Sequence, residues 1–444
     1  MGPALRRPTR LVPLAFLGVI AIGTGLMMLP VFTAGAPNAP FVVALFTATS
    51  AVSVTGLTVV DTATYWSAGG HVLITVLTQI GGFGIMALAT LLGLLVSQRL
   101  GLAGRLSAQA ESSDIALGEI GQVLTRVAVA MLGFEAVITL ILAGRFWAHY
   151  DYSLGKALWH GLFFAVQTFN NAGFSLYSDS LRGFVGDWWI CLPVSLGATL
   201  GAIGFPVLFE LARERRHPST WSMHTRLTVW GTLVLSAFGF ATMLIFEWAN
   251  PHTLRPLGVE EKVLAAFTQD TMARSGGFET VPVGAMNTET LSILTGLMFI
   301  GGGSASTAGG IKVSTFAVLI FIAWSEIRGE PDVVVGRRRI ATATQRQAIT
   351  VAMLAVALVA AAAIALRSRI EHADLQRVLF ETASAFGTSG MTTGLTATLP
   401  ASGQLILVVV MFVGRVGTIT TASALALNIR HRRYRYPEER AIVG

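Results

Sequence analysis

Long apolar stretches recur along the chain and decide which kind of protein it can be. Each unbroken stretch is close to the ~20 residues that an α-helix needs to cross ~30 Å of hydrocarbon. Charged residues make up only 12% of the 444 residues, about half the share typical of soluble domains. We place the approximate cores of eight stretches at 11–33, 71–97, 120–143, 187–211, 226–247, 288–325, 347–366 and 403–428.

Basic residues are distributed unequally between the segments that connect these stretches. The N-terminus and the segments 97–126, 210–226, 325–347 and 429–444 carry twenty of them, whereas the alternate segments carry nine. The positive-inside rule therefore predicts a multi-pass protein of the cell membrane with both termini in the cytoplasm. Since the basic excess is explained by topology, the net charge of +7 does not indicate a nucleic-acid partner.

The alternate segments also repeat one pattern four times. In each, a phenylalanine stands ten residues before a glycine, a polar residue stands six before it, and a large apolar residue follows it. The glycines are 117, 104 and 113 residues apart, which indicates four tandem units. We predict these units at 1–100, 101–215, 216–330 and 331–444, the last including a cytoplasmic tail. The pattern runs from Phe46 to Gly56, Phe163 to Gly173, Phe267 to Gly277 and Phe380 to Gly390.

The apolar segment before each glycine is too short to cross a bilayer and fits a re-entrant pore helix. Carbonyl groups in the extended segment that follows must line a watery path or be buried in protein. Four such segments around one axis form a filter in which backbone oxygens replace the hydration shell of a cation.

The predicted fold is therefore an all-α membrane protein of four tandem span–pore-helix–span units, with about eight transmembrane helices plus four re-entrant pore helices around one pseudo-fourfold pore. The predicted filter residues are Val54, Thr55, Gly56, Asn171, Ala172, Gly173, Ser275, Gly276, Gly277, Thr388, Ser389 and Gly390.

Glycine-rich patches at 79–85, 200–206, 300–312 and 412–418 are predicted to interrupt or thin the second span of each unit. The second span of the third unit is unusually long. It covers 288–325, which is 38 residues where about 20 suffice. Five of the ten residues in 301–310 are glycine, and glycine is costly inside a helix. We predict a helix to about residue 300, a flexible loop inside the membrane, and a second helix from about residue 311.

The four loop glycines, the run Gly301-GGSASTAGGIKVST and the Gly414-Arg-Val-Gly segment resemble the Trk/Ktr/HKT superfamily of potassium transporters over nearly the whole chain. Within it, the chain looks most like the membrane subunits of the Ktr branch. The resemblance implies a homodimer in the plasma membrane, one pore per protomer, and control by a cytoplasmic nucleotide-binding ring of the KtrA type. It also implies that 301–310 is the gating loop.

Ion selectivity is also implied by the resemblance. In this family, glycine at all four filter positions goes with potassium, whereas serine at the first goes with sodium. All four positions here are glycine. We therefore expect K⁺ as the transported ion, held at the filter carbonyls, and no covalent cofactor. Whether Na⁺ activates transport, or Na⁺ or H⁺ is coupled to it, stays open.

Two basic residues, Lys312 and Arg415, lie inside predicted spans, where charge is costly and usually functional. The resemblance implies that Arg415 holds the gating loop, through groups such as those of Ser304, Ser306 and Thr307. For Arg274 we consider a place at the outer mouth and prefer a role in bracing the filter. The predicted gate residues are Gly301, Gly302, Gly303, Ser304, Ser306, Thr307, Gly309, Gly310, Lys312 and Arg415.

Other classes fit less well. A secondary transporter is usually built from two inverted repeats, whereas four units here run in the same direction. A phosphate-binding loop is not indicated, because Ile311 separates Gly310 from Lys312. An enzyme would show clustered polar residues at membrane depth, and beyond Lys312 and Arg415 the sequence has almost none. The arginine-rich tail around His431 is predicted to dock a partner or anionic membrane lipid.

Overall fold

The computed structural model describes residues 8–35, 38–100, 113–336, 338–370 and 374–417. The predicted docking tail around His431 lies outside these residues, as does part of the predicted cytoplasmic segment 97–126.

The described chain is mostly helical. One two-stranded antiparallel ribbon interrupts it, β1 (Val334–Val335) with β2 (Arg338–Arg339). The helices are α1 (Pro8–Met27), α2 (Phe41–Val52), α3 (Thr62–Tyr65), α4 (Ala68–Leu100), α5 (Ser113–His149), α6 (Leu154–Phe169), α7 (Trp188–Ile203), α8 (Phe205–Glu214), α9 (Met223–Glu247), α10 (Val259–Arg274), α11 (Thr288–Phe299), α12 (Val313–Ile327), α13 (Thr342–Arg367), α14 (Leu375–Gly387), α15 (Leu395–Thr398) and α16 (Ala401–Phe412), which continues as a π-helical turn at Val413–Gly417.

The order of helices follows the sequence repeat. A helix of 20 or more residues (α1, α5, α9, α13) precedes a helix of 12 to 16 residues (α2, α6, α10, α14) each time. An extended segment with the repeated glycine follows, and then another helix. Each unit packs on the next one in the chain: α4 packs on α6, α7 packs on α10, and α11 packs on α14. Helix α16 packs back on α2, so the four units are in contact all the way around.

Several helices have the length and apolar composition of membrane spans. Within the described ranges, four helices are long and apolar enough to cross a membrane on their own. Helices α7 and α8 are long enough only when they are taken together, as a pair bent by 101°. Three further apolar stretches of 10–17 residues in these ranges lie outside the short helices that precede the glycines, namely Pro13–Met27 within α1, Val313–Ile327 and Ala401–Gly417. The four are Ala68–Ala87 within α4, Gly121–His149 within α5, Met223–Glu247 and Thr342–Arg367.

The stretch 187–211, predicted as one span with a glycine-rich patch at 200–206, is bent by 101° within that patch. Helix α7 ends at Ile203 because Gly204 has a φ of 96°, outside the helical region. Pro206 then begins α8, in the first helical turn where proline is tolerated. The glycine pattern of this stretch therefore marks a sharp turn, which hydropathy alone does not reveal.

Side-chain caps define where several helices start. The Asp187 carboxylate accepts a hydrogen bond from Trp189 N at 2.9 Å at the start of α7, and Glu261 accepts one from Gly258 N at 2.9 Å before α10. Such caps satisfy backbone donors that have no partner within the helix, and each contributes about 1 kcal/mol. The Glu261 bond fixes where α10 begins, and therefore where the C-terminal end of this short helix meets the third glycine segment.

Candidate functional site

The four repeated glycines come together at the centre of the molecule, and we call them the glycine ring. Their φ values are 81°, 79°, 69° and 85° for Gly56, Gly173, Gly277 and Gly390, a region that residues with side chains rarely adopt. The backbone conformation therefore favours glycine at these four positions. A second reason is that there is no room for a side chain.

Each glycine lies against the carbonyl group that precedes the next glycine. An ideal Cβ on Gly56 would lie 1.6 Å from Ala172 O, and one on Gly173 would lie 2.5 Å from Gly276 O. The same holds for the other two glycines, so the contacts close on themselves, and a side chain at any position would collide with backbone. The remaining pairs are Gly277 with Ser389 O at 2.8 Å and Gly390 with Thr55 O at 2.2 Å.

The residue two before the glycine is left-handed in three units. The φ values are 55° for Val54, 62° for Asn171 and 49° for Thr388, and each such residue costs about 1–2 kcal/mol. The third unit differs, because Ser275 is extended at 178° and Gly276 takes the positive φ of 144°. The four predicted filter segments are therefore not equivalent, although their sequences align.

Apolar side chains anchor the filter segments directly after each glycine. Phe278 lies in a buried cluster with Phe146, Phe164 and Met272, which come from α5, α6 and α10. Burial of a phenylalanine contributes about 2–3 kcal/mol, so these anchors resist movement of the glycine that precedes them. All four anchors are no more than 1% exposed, namely Leu57, Phe174, Phe278 and Met391.

Glycines in the second helix of three units let that helix approach the end of the short helix. In each case the glycine faces the carbonyl group four residues before a ring glycine, with no room for a side chain. We predicted these patches as interruptions of the second span, but α4 stays helical through its patch, where glycine serves close packing. The ideal Cβ distances are 2.0 Å for Gly81 to Val52 O, 2.0 Å for Gly201 to Phe169 O and 2.1 Å for Gly414 to Phe386 O.

Two polar side chains that hold the segments after the glycines are not among the residues predicted from sequence. Glu381 in α14 is fully buried and accepts hydrogen bonds from Thr393 N at 2.7 Å and from the hydroxyls of Thr392, Thr393 and Thr396. Gln269 in α10 accepts one from Thr280 N at 2.8 Å. The sequence offers one signal for them: each is a polar residue within a predicted pore helix, Gln269 eight positions before Gly277 and Glu381 nine positions before Gly390.

A buried acidic side chain, that of Glu135, is hydrogen-bonded to the residue directly before the second predicted filter segment. Glu135 in α5 accepts hydrogen bonds from Gln79 Nε2 at 2.9 Å and Asn170 Nδ2 at 3.1 Å. Asn170 is the last residue before the predicted filter residues of the second unit. Nothing in the sequence pattern indicates this role for Glu135 beyond its unusual place within an apolar stretch.

A cavity of about 640 Å³ lies against all four members of the glycine ring. Its lining includes Asp61, Asp179, Glu279 and Arg182, so carboxylates outnumber the basic group. Arg182 Nη2 donates to Glu279 Oε2 at 2.6 Å. Burial raises the pKa of Glu279, and Arg182 opposes this shift. A net negative cavity concentrates cations near the ring.

The segment 301–310, predicted as the gating loop, is non-helical between Phe299 and Val313. Its ends are held together, since Gly301 N donates to Ile311 O at 2.9 Å and Ile311 N donates to Phe299 O at 3.1 Å. The predicted helix limits at about 300 and 311 lie within two residues of these ends.

The predicted gate residues contact different partners. Arg415 is 1% exposed, and its Nη1 donates to Thr307 O, the one of the three suggested residues that it contacts through a hydrogen bond. Ser306 Oγ donates within the loop to Gly303 O at 2.6 Å, and Ser304 Oγ lies 3.2 Å from Ser314 Oγ. Lys312 Nζ donates to Ala308 O at 2.5 Å, which closes the end of the loop.

Arg274 is not among the residues that line the cavity against the glycine ring. Its Nη1 donates to Thr232 O at 3.0 Å and to Ser236 Oγ at 2.9 Å, both on α9. These bonds join the end of α10 to the neighbouring helix next to Ser275 and Gly276, which is the arrangement expected of a bracing residue. A place at the outer mouth, the other possibility considered from sequence, does not fit these contacts.

Comparisons with known proteins agree with this architecture. The TrkH family model, described as "Cation transport protein", matches residues 4–432. The chain is 37% identical over 437 residues to "Ktr system potassium uptake protein B" of Bacillus subtilis (strain 168), covering 98% of this chain and 97% of that protein. It is 35% identical to the protein of the same name from Vibrio alginolyticus, covering 98% of this chain and 94% of that protein.

A solved structure shows the same fold. The crystal structure of the potassium transporter TrkH from Vibrio parahaemolyticus superposes with a TM-score of 0.73 at 18% identity, covering 94% of this chain and 84% of that chain. With its apolar helices and a family match over nearly its full length, this chain is an integral membrane protein that belongs to the TrkH family of cation transport proteins.

Proposed function

We propose that this chain is the ion-conducting membrane subunit of a potassium uptake system. One observation carries the proposal: each member of the glycine ring lies against the carbonyl group before the next glycine, so four carbonyls and four glycines surround one axis. Backbone carbonyls in such a ring can replace the hydration shell of a cation. The names of the two similar proteins support K⁺ as that cation.

The pore is formed by four span–pore-helix–span units, with eight membrane spans and the re-entrant helices α2, α6, α10 and α14. Support comes from the short length of these helices and from the contacts between successive units. The distribution of basic residues supports an orientation with both termini in the cytoplasm. The cavity lined by Asp61 and Glu279 is then the outer vestibule, where K⁺ collects before it enters the filter.

The loop 301–310 acts as the gate on the other side of the ring. It contacts residues that precede the ring glycines, such as Asn171, whereas the cavity is lined by residues that follow them, such as Glu279. Arg415 holds the loop through Thr307 O and, as a cation, repels ions that reach it. Ion flow requires this contact to break.

Control by other components completes the proposal. We propose a homodimer regulated by a cytoplasmic nucleotide-binding ring of the KtrA type, and contacts of the arginine-rich tail with that ring or with membrane lipid. The word "system" in the names of the similar proteins supports a further component. No covalent cofactor is needed for conduction, and activation by Na⁺ is left to experiment.

Uptake of ⁸⁶Rb⁺ into liposomes that contain the purified chain tests this function. We expect uptake that K⁺ blocks and an equal concentration of Na⁺ does not. Equal block by Na⁺, or no uptake even after a cytoplasmic partner is added, would overturn the proposal. Accumulation of ⁸⁶Rb⁺ driven by an imposed Na⁺ or H⁺ gradient would instead identify a symporter, which is the alternative function for this family.

A further inference from the structure

The predicted filter and the predicted gate meet at a hydrogen bond between two side chains. Asn171 lies two residues before Gly173 and is completely buried. In the orientation that satisfies both ends of its amide, Asn171 Oδ1 accepts from Thr307 Oγ1 at 2.6 Å, and Nδ2 donates to Ala198 O at 3.0 Å. A filter residue with a left-handed backbone is therefore bonded directly to the gating loop.

The end of α7 makes this contact part of a three-way junction. Because α7 stops at Ile203, its last carbonyl groups lack partners within the helix. The loop supplies them, since Gly303 N donates to Ala202 O at 2.7 Å and Thr307 N donates to Gly201 O at 3.2 Å. Asn171 Oδ1 also accepts from Ala202 N at 3.2 Å. The loop, α7 and the second filter segment thus share one hydrogen-bonded network.

The other end of the loop touches the fourth filter segment. An ideal Cβ on Gly309 would lie 2.4 Å from Thr388 Oγ1 and 3.0 Å from Gly387 O. Thr388 is the left-handed residue two before Gly390, the counterpart of Asn171. The loop therefore supports the strained position of two filter segments, by a hydrogen bond on one side and by close packing on the other.

We propose that Asn171 is a positioning residue that couples ion binding in the filter to the position of the gating loop. This rests on the proposed function. When the loop leaves, Thr307 withdraws from Asn171, and the left-handed backbone of the second filter segment loses a bond that holds it in place. A cation in the filter and a seated loop therefore stabilise each other, and the coupling acts equally in both directions.

Chemical labelling of the loop tests the coupling. Ser304→Cys places a thiol on a half-buried loop residue, while the native Cys191 is buried. The full-length protein in detergent would be labelled with a small methanethiosulfonate reagent in K⁺ or in an equal concentration of Na⁺. We expect K⁺ to slow labelling by about two- to tenfold, the range expected when one hydrogen bond contributes to loop closure.

Variants at the two partners decide whether Asn171 transmits this effect. Asn171→Gly keeps the left-handed backbone and removes the side chain, and Thr307→Val removes the hydroxyl at nearly constant shape. Each should abolish the effect of K⁺ on labelling, and the double variant should do no more than either alone. Thr307→Ser keeps the donor and should retain the effect.

Matched controls are Asp151→Gly, at an exposed left-handed residue, and Thr295→Val, which removes a hydroxyl bonded within α11. Both should retain the effect of K⁺. An effect that persists in both Asn171→Gly and Thr307→Val would overturn the coupling, as would labelling of Ser304→Cys alone that is equal in the two ions. The proposed function fails separately, if ⁸⁶Rb⁺ uptake by the unmodified protein does not distinguish K⁺ from Na⁺.

Discussion

Gly390 and Thr55 meet at the point where the glycine ring closes, although 335 residues separate them in the chain. An ideal Cβ on Gly390 would lie 2.2 Å from Thr55 O. The contact is supported by the packing of α16 on α2. Because the last unit must reach the first, the ring cannot form until the fourth unit has folded against the others.

Alanine substitutions in the ring should differ in severity according to the available space. Gly56→Ala should reduce ⁸⁶Rb⁺ uptake more than Gly277→Ala, because the added Cβ would lie 1.6 Å from backbone at Gly56 but 2.8 Å at Gly277. We expect at least a tenfold loss at Gly56, since overpacking against backbone typically costs about 1–3 kcal/mol and a left-handed alanine adds strain. The measurement is the initial rate of uptake into liposomes.

Gly35→Ala is the control, because Gly35 has a similar φ of 84° and nothing within 4 Å of its ideal Cβ. It reports the effect of backbone strain alone, and uptake should stay near that of the unmodified chain. Equal losses at Gly35 and Gly56 would show that the carbonyl contacts of the ring do not matter.

Removal of the arginine that contacts the gating loop should open the gate. Arg415→Ala should raise basal ⁸⁶Rb⁺ flux several-fold, because the Arg415–Thr307 contact and the positive charge are both lost. Arg415→Lys should have a basal flux between that of Arg415→Ala and that of the unmodified chain, since lysine keeps the charge but not the geometry of the guanidinium group. Flux is measured in liposomes without a cytoplasmic partner. Arg328→Ala, at an exposed arginine after α12, is the matched control, and unchanged flux in Arg415→Ala would remove the residue from the gate.

External acid should reduce uptake through Glu279. Since burial raises the pKa of this carboxyl, it takes up a proton at a higher pH than an ordinary glutamate, whose pKa is about 4.3. As the external pH falls, the cavity therefore loses one negative charge at a higher pH than an ordinary glutamate would allow, and we expect the weaker attraction for cations to lower the uptake rate by about twofold. The rate is measured in liposomes as a function of external pH.

Glu279→Gln should already be slower at neutral pH and should lose this part of the pH dependence. Glu326→Gln, at an exposed glutamate of α12 outside the cavity, is the control and should keep the profile of the unmodified chain. An unchanged pH profile in Glu279→Gln would exclude this carboxyl as the titrating group.

Glu381 should be required for stability of the fourth unit. Glu381→Ala leaves a backbone N–H and three threonine hydroxyls without their acceptor, and we expect destabilisation by about 2–4 kcal/mol. Thermal unfolding in detergent measures this effect. Glu260→Ala, at an exposed position of α10, should leave the melting temperature nearly unchanged. A melting temperature for Glu381→Ala equal to that of Glu260→Ala would contradict this role.

Local patterns in the sequence were sufficient to predict the four repeated glycine segments and the break in the long span of the third unit. Four glycines at a constant distance from a phenylalanine, and a glycine run too costly for a helix, both depend on backbone conformation that is set locally. The structure brings those glycines together and interrupts the helix between Phe299 and Val313. The chemistry of Arg274 also favours bracing, and its hydrogen bonds join α10 to α9.

Contacts between segments that are distant in the chain could not be predicted from local sequence patterns. Glu135 meets Asn170, and Asn171 meets Thr307, through pairings that only tertiary packing creates. The departure of the third filter segment at Ser275 was hidden as well, because its sequence aligns with the others while its backbone follows another path. The glycine-rich patch at 200–206 indicated an interruption, but the 101° bend at Gly204 could not be predicted, because a glycine pattern shows where a helix can break and not by what angle.

The most direct test of the central claim is ⁸⁶Rb⁺ uptake by Gly56→Ser, with K⁺ and Na⁺ as competitors and the unmodified chain beside it. If the glycine ring selects the ion, K⁺ but not Na⁺ blocks uptake by the unmodified chain, and the serine reduces this preference. Uptake by Gly56→Ser that keeps the full preference for K⁺ would show that the glycines are structural and that selection takes place elsewhere.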